Sequence, residues 1–211
     1  NIGIDTVATI VNDLITTVLL FGQFAILGKR GLMILASGYL FSSLMALAHL
    51  LSFPGLLAPT GWLSGGSQTT VWLYMFWHAG LPLAVLLYVR QCANGAAAAP
   101  VALGGNGNGG PSRRNPVLIA VAAVIVVVAG VVLLTTVGHD AMPTLLTVVD
   151  NAPVYTLAYR IVVGAISALA AVNVFLLWRR RLLSVLDLWV MVVMCAWVFD
   201  IALSAIFNHQ R

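Results

Sequence analysis

Glutamate is absent from this chain, lysine occurs once, at Lys29, and charged residues make up only 8% of the total. A soluble domain carries about a quarter charged residues, so a water-exposed globule is excluded and an integral membrane protein is indicated. No lysine falls inside an apolar stretch, which leaves a retinal Schiff base without an attachment point. The two cysteines, Cys92 and Cys195, form no CxxC pair, and a disulfide between them is not expected. The sequence contains no phosphate loop, serine-nucleophile motif or paired-carboxylate glycosidase pattern. The net charge of +4 is no nucleic-acid footprint, because the basic residues lie in short runs between apolar segments.

What the chain has is hydrophobic length: 61% of its residues are hydrophobic. Stretches of about 20 apolar residues cross the hydrocarbon as helices. Six such spans are predicted, at 6–27, 31–53, 69–90, 116–138, 153–178 and 183–207. The predicted fold is therefore an all-α polytopic transmembrane helical bundle. Lys29, Arg30, Arg90, Arg113, Arg114 and Arg179 to Arg181 all fall on one side of an alternating topology. That side is cytoplasmic by the positive-inside rule, which places both termini outside. Residues 91–116 are rich in Ala, Gly, Asn and Pro, a composition that builds no core. They read as a flexible cytoplasmic connector. The loop 54–68 carries Trp62 and, with Trp72 and Trp77, reads as an outer interface.

Five of the six spans contain an ionisable group: Asp13, His49, His78, Arg160 and Asp200. Such groups are expensive in a bilayer and mark a site or a buried pair. Counted from the span ends, all five occupy an outer-leaflet slab roughly 6–14 Å deep. Helical phase groups further polar residues with them. Asp13, Thr16, Thr17 and Gln23 favour one face of the first span, while Gly38, Ser42, Met45 and His49 share a face of the second. Thr70, Tyr74, His78 and Pro82 line the third, and Thr156, Arg160 and Gly164 the fifth. The fourth is almost wholly aliphatic and is expected to face lipid.

Several readings of this layer compete. Arg160 can neutralise Asp13 or Asp200 as a structural ion pair, or the cluster can line a pocket open to the outside. His49 and His78 are weak candidates for a metal or haem site; a haem- or quinone-linked redox protein is one alternative. A transporter or proton-translocating protein is another, but it needs a polar path to both faces, and the inner halves of most spans are aliphatic. Asp187 is expected to be a surface or interfacial counter-charge to the arginine run. Small residues at Gly22, Gly38, Gly164 and Ala168 permit close helix contacts, within one chain or in a homodimer.

Particular blocks narrow the field. Val11-Asn12-Asp13-Leu14-Ile15-Thr16, Phe21-Gly22-Gln23-Phe24, Leu35-Ala36-Ser37-Gly38-Tyr39-Leu40-Phe41 and Phe76-Trp77-His78-Ala79-Gly80, with Phe53-Pro54-Gly55 between the last two, resemble the membrane-associated sensor family, fourth type. The resemblance is specific over residues 6–90 and rests on pattern and order over 153–208. It implies a non-catalytic sensory module of the bacterial inner membrane without a required cofactor. It also implies a cytoplasmic output domain elsewhere in the protein, a diguanylate cyclase or a histidine kinase. With an outer C-terminus, a further span is expected before such a domain. Together the resemblance and the polar layer make Asn12, Asp13, Gln23, His49, Tyr74, His78, Tyr159, Arg160 and Asp200 the candidate sensing residues. The ligand or membrane-derived stimulus is left open.

Overall fold

The first corner turns on Gly28. Its φ of 65° is the left-handed conformation that ends helices and that only glycine adopts without strain. Its N–H donates to the Phe24 carbonyl at 2.8 Å, and the next helix begins two residues later. The structure, a computed structural model, describes residues 2–53, 61–63, 67–93, 115–149, 152–180 and 184–208. Within them, side chains are described except at 2, 67, 139, 148–149, 152–153 and 200–208. The helices are α1 (Ile2–Leu27), α2 (Arg30–Ser52), α3 (Ser67–Ala93), α4 (Pro116–Thr136), α5 (Leu157–Trp178) and α6 (Val185–Asn208).

The chain is an all-α polytopic membrane bundle. Helices α1 to α5 are long and apolar enough to cross a membrane, and α6 offers a shorter apolar stretch, Val185–Phe199, among the described residues. Two compact units divide it, Asn1–Pro143 and Thr144–Arg211. In the first, α2 is the centre, packing on α1, α3 and α4. It buries 14 of its 23 residues, whereas α4 buries only Thr135, as its aliphatic composition led us to expect. Pro116 at the start of α4 needs no helical N–H partner, and Asn115 caps the turn by accepting from the Val117 N–H.

Lipid is as apolar as leucine, so helices in a bilayer associate through close packing and hydrogen bonds rather than by hiding from water. Helices α2 and α3 achieve this with glycine. A side chain at Gly80 would collide with the Phe41 ring, and one at Gly38 with Ala84. Around these contacts Leu35, Met45, Leu73 and Leu81 are almost completely buried. At the far end Thr69 Oγ1 donates to the Thr135 carbonyl at 2.8 Å and Trp72 Nε1 to that of Pro143 at 3.2 Å. Toward the end marked by Lys29 and Arg90, an apolar groove of about 490 Å³ lies between α2, α3 and α4, lined by Met33, Phe41, Leu83, Leu87 and Ala120 among others.

The second unit corrects the sequence reading. Residues 153–156 do not begin the fifth span; α5 starts at Leu157. Before it an antiparallel hairpin pairs β1 (Leu146–Val149) with β2 (Ala152–Tyr155), Thr147 facing Val154. β-branched residues on both strands flank a two-residue connection, which favours a hairpin over a helical start. Thr156 joins hairpin to helix: its N–H and hydroxyl bond to Leu145 and Thr144 carbonyls, and its oxygen accepts from the Tyr159 N–H to cap α5. Helix α3 also runs past its predicted end to Ala93. Most of the predicted connector, 94–114, lies outside the described residues. Cys92 and Cys195 are both free.

Gly38→Val should lower the stability of the purified protein by about 1–3 kcal/mol, the usual cost of overpacking. Gly130→Ala, where an added methyl meets nothing within 4 Å, should leave it nearly unchanged. Thermal or denaturant unfolding in detergent measures both.

Candidate functional site

A hydroxyl or amide inside a span must find its partner within the protein. Many of the polar residues do so on their own helix. The hydroxyls of Thr9, Thr16, Thr17, Ser37, Thr136 and Ser167 each donate to the carbonyl four residues earlier, at 2.7–3.0 Å. They need no ligand and no neighbour. Asp13, Ser42, Trp77 and the histidines cannot be settled that way, and they converge on one place.

Helix α1 turns Thr6, Asp13, Thr17, Leu20 and Phe24 inward at three- and four-residue steps. Asp13, 6% exposed, receives the Ser42 hydroxyl on Oδ2 at 2.7 Å. Ser42 in turn accepts from Trp77 Nε1 at 3.0 Å. An indole can only donate, so the direction is fixed: Trp77 to Ser42, Ser42 to Asp13. The chain of bonds ties α3 to α2 and α2 to α1 in a medium where each bond is stronger than in water. In the first unit no basic side chain pairs with Asp13 among the described residues.

The histidines sit beside this chain. His49 Nδ1 lies 3.1 Å from the Thr70 carbonyl and His78 Nδ1 2.9 Å from that of Tyr74. Carbonyls only accept, so both Nδ1 atoms carry the proton and the lone pair of the neutral ring is on Nε2. The Tyr74 ring touches both, at 5.6 Å from His49 and 3.9 Å from His78 between centroids. Trp77 does the same at 5.8 and 4.7 Å, and Phe53 meets the edge of His49 at 5.1 Å. Pro82, one turn after His78, has no N–H to give the His78 carbonyl. The donor set fits a metal poorly: no group of three or more His, Cys, Asp or Glu comes together among the described residues.

The other candidates are placed differently. Asn12 and Gln23 are exposed on α1 and are not brought to the cluster. The single polar face read for the first span is two faces about 100° apart, since successive helical residues differ by that angle. In the second unit Tyr159 is half-buried and stacked on Tyr155 at 4.3 Å, and Arg160 is exposed. The Asp200 side chain lies outside the described residues, and with it the expected pairing of Arg160 with that carboxylate.

The ion pair described in this unit is Arg180–Asp187 at 2.7 Å. Asp187 is a counter-charge to the arginine run, as expected, but a buried one at 2% exposure rather than a surface one. Ser184 and Asp187 bond reciprocally, side chain to backbone N–H, as a capping box at the start of α6.

Sequence reasoning missed Ser42 and Trp77 as members of the site. Trp77 reads as an interfacial tryptophan, yet it is 8% exposed with its N–H inside the bundle. The available signal was its phase, three residues after Tyr74 and next to His78 on the inward side of α3.

The model of one protein family, MASE4, described as membrane-associated sensor, integral membrane domain, matches residues 2–211. No curated protein and no solved structure matches the chain.

Ser42→Ala removes the middle of the Trp77–Ser42–Asp13 chain and strands a buried donor and a buried carboxyl. A loss of about 1–3 kcal/mol is expected. In a double-mutant cycle with Asp13→Asn, the coupling energy should fall between roughly 0.5 and 3 kcal/mol, read from unfolding followed by tryptophan fluorescence.

Proposed function

The chain belongs to the MASE4 family of membrane-associated sensor domains, and on that premise we propose that residues 1–211 form one non-catalytic sensory domain whose receptive element is the polar layer of α1 to α3. The stimulus, a small ligand or a membrane-derived signal, reaches Asp13, His49, Tyr74 and His78 from the side opposite Lys29 and Arg90. That side is the periplasmic one of a bacterial inner membrane by the positive-inside rule. In this reading α6 is a sixth crossing and 91–116 is a cytoplasmic connector. The relay runs to a cytoplasmic output domain, a diguanylate cyclase or a histidine kinase, of the same protein.

The observation that carries this reading is the bond sequence Trp77–Ser42–Asp13, which makes the packing of three helices depend on one buried hydroxyl. A ligand that competes for Asp13 or for the Nε2 atom of His49 favours a different packing. Only a difference in affinity between the two packings shifts their populations, and typical couplings of 1–3 kcal/mol correspond to about 5–150-fold. The apolar groove toward the basic end supports reception over transport, since Met33, Leu83 and Leu87 offer no polar step inward from the layer.

In the intact receptor, Asp13→Asn, His49→Ala and His78→Ala should each shift basal output about fivefold or more at equal membrane levels. Cyclic-di-GMP content or kinase autophosphorylation is the readout, according to the output domain. The reading fails if all three variants are folded and none changes output, basal or stimulated by the native growth conditions.

A further inference from the structure

Helix α1 carries a second stripe that the sensing layer does not use. Thr9, Asn12, Thr16, Leu19, Gln23 and Ile26 recur at alternating steps of three and four, and each is exposed or half-buried. The helix is otherwise satisfied: Thr9 and Thr16 bond to their own backbone, and the inward stripe packs on α2. The carboxamides of Asn12 and Gln23 make no hydrogen bond to any described residue. Asn12 stands near the middle of the 25-residue apolar span Gly3–Leu27, where neither water nor headgroups reach it. An amide left in hydrocarbon costs several kcal/mol, so this face has an occupant.

We propose that the occupant is α1 of a second copy of the chain, paired in parallel along this stripe with Asn12 against Asn12. Three properties select it. A carboxamide is both donor and acceptor, so the same residue across a two-fold axis satisfies it on both sides. The mean spacing of 3.5 residues, kept from Thr9 to Ile26, is the period of a left-handed helix pair, and a single asparagine in such a seam sets parallel register. Copies inserted in one membrane share an orientation, which places Asn12 and Gln23 at matching depths. Asn173, the carboxamide within α5, is itself fully buried. The pairing stands whether or not the inner stripe receives a stimulus.

The test is cysteine cross-linking of the full chain in membranes, with Cys92 and Cys195 changed to alanine. Leu19 and Val18 are similarly exposed, at 61% and 70%, but Leu19 is on the stripe and Val18 is turned well away from it. Oxidation with copper phenanthroline should give a dimer from Leu19→Cys and little from Val18→Cys. Energy transfer on dilution in liposomes should show Asn12→Leu weakening self-association about tenfold, with Asn12→Gln near the native value. The substitution to leucine adds an apolar side chain to an exposed face, so insertion is retained. No dimer from Leu19→Cys, as when another helix of the same chain covers the stripe, overturns the proposal. Equal cross-linking at both positions or unchanged association of Asn12→Leu also overturns it.

Discussion

A bilayer supplies no hydrogen bonds, and that constraint sorts every polar residue in the spans of this protein. Threonine and serine escape it by bonding to the carbonyl one turn back, as Thr16, Thr17 and Ser167 do. Asp13, Ser42 and Trp77 cannot, and they meet across three helices. The polar layer is thus a consequence of where self-satisfaction fails. This also separates the residues that merely tolerate the membrane from those that constrain the fold.

The central place of α2 follows from the same constraint. It contributes Gly38 to the close packing on α3, the Ser42 hydroxyl to the bond sequence and the His49 ring to the aromatic cluster. Packing without a hydrophobic driving force requires small residues where backbones approach and polar residues where they are held. On α2 these alternate along one helix. A change in how Asp13 is satisfied therefore acts on the helix that touches all the others of its unit.

The spans and their order were legible in the sequence because 20 apolar residues in a row have few other uses. The layer of Asp13, His49 and His78 was legible for a related reason, since charge inside such a stretch is conspicuous. Phase was less so. Asn12 and Asp13, or Thr16 and Thr17, are neighbours in sequence but about 100° apart on a helix, and only the packing partner decides which one turns inward. Trp77 was hidden by its type, because a tryptophan near a span end fits the interface as well as a buried donor. The hairpin before α5 was masked by Pro153 and by apolar composition that strand and helix share. Asp187 looked like surface charge because its capping partner, Ser184, lies in a short turn where hydrophobicity carries no signal.

Helix α1 joins the two proposed events. Its inward stripe holds Asp13 against Ser42, and its outward stripe presents Asn12 one residue away. Both are fixed to the same rigid cylinder, so rotation of α1 about its axis moves them together. A rotation of a few tens of degrees pulls the Asp13 carboxyl out of the narrow range of distance and angle that its bond from Ser42 requires. The same rotation turns Asn12 out of the seam. Each pairing therefore selects the angle that the other needs, and the two are thermodynamically linked: whatever stabilises one favours the other by the same factor. An arrangement of this kind needs no long pathway between reception and association. One helix with two polar faces is sufficient.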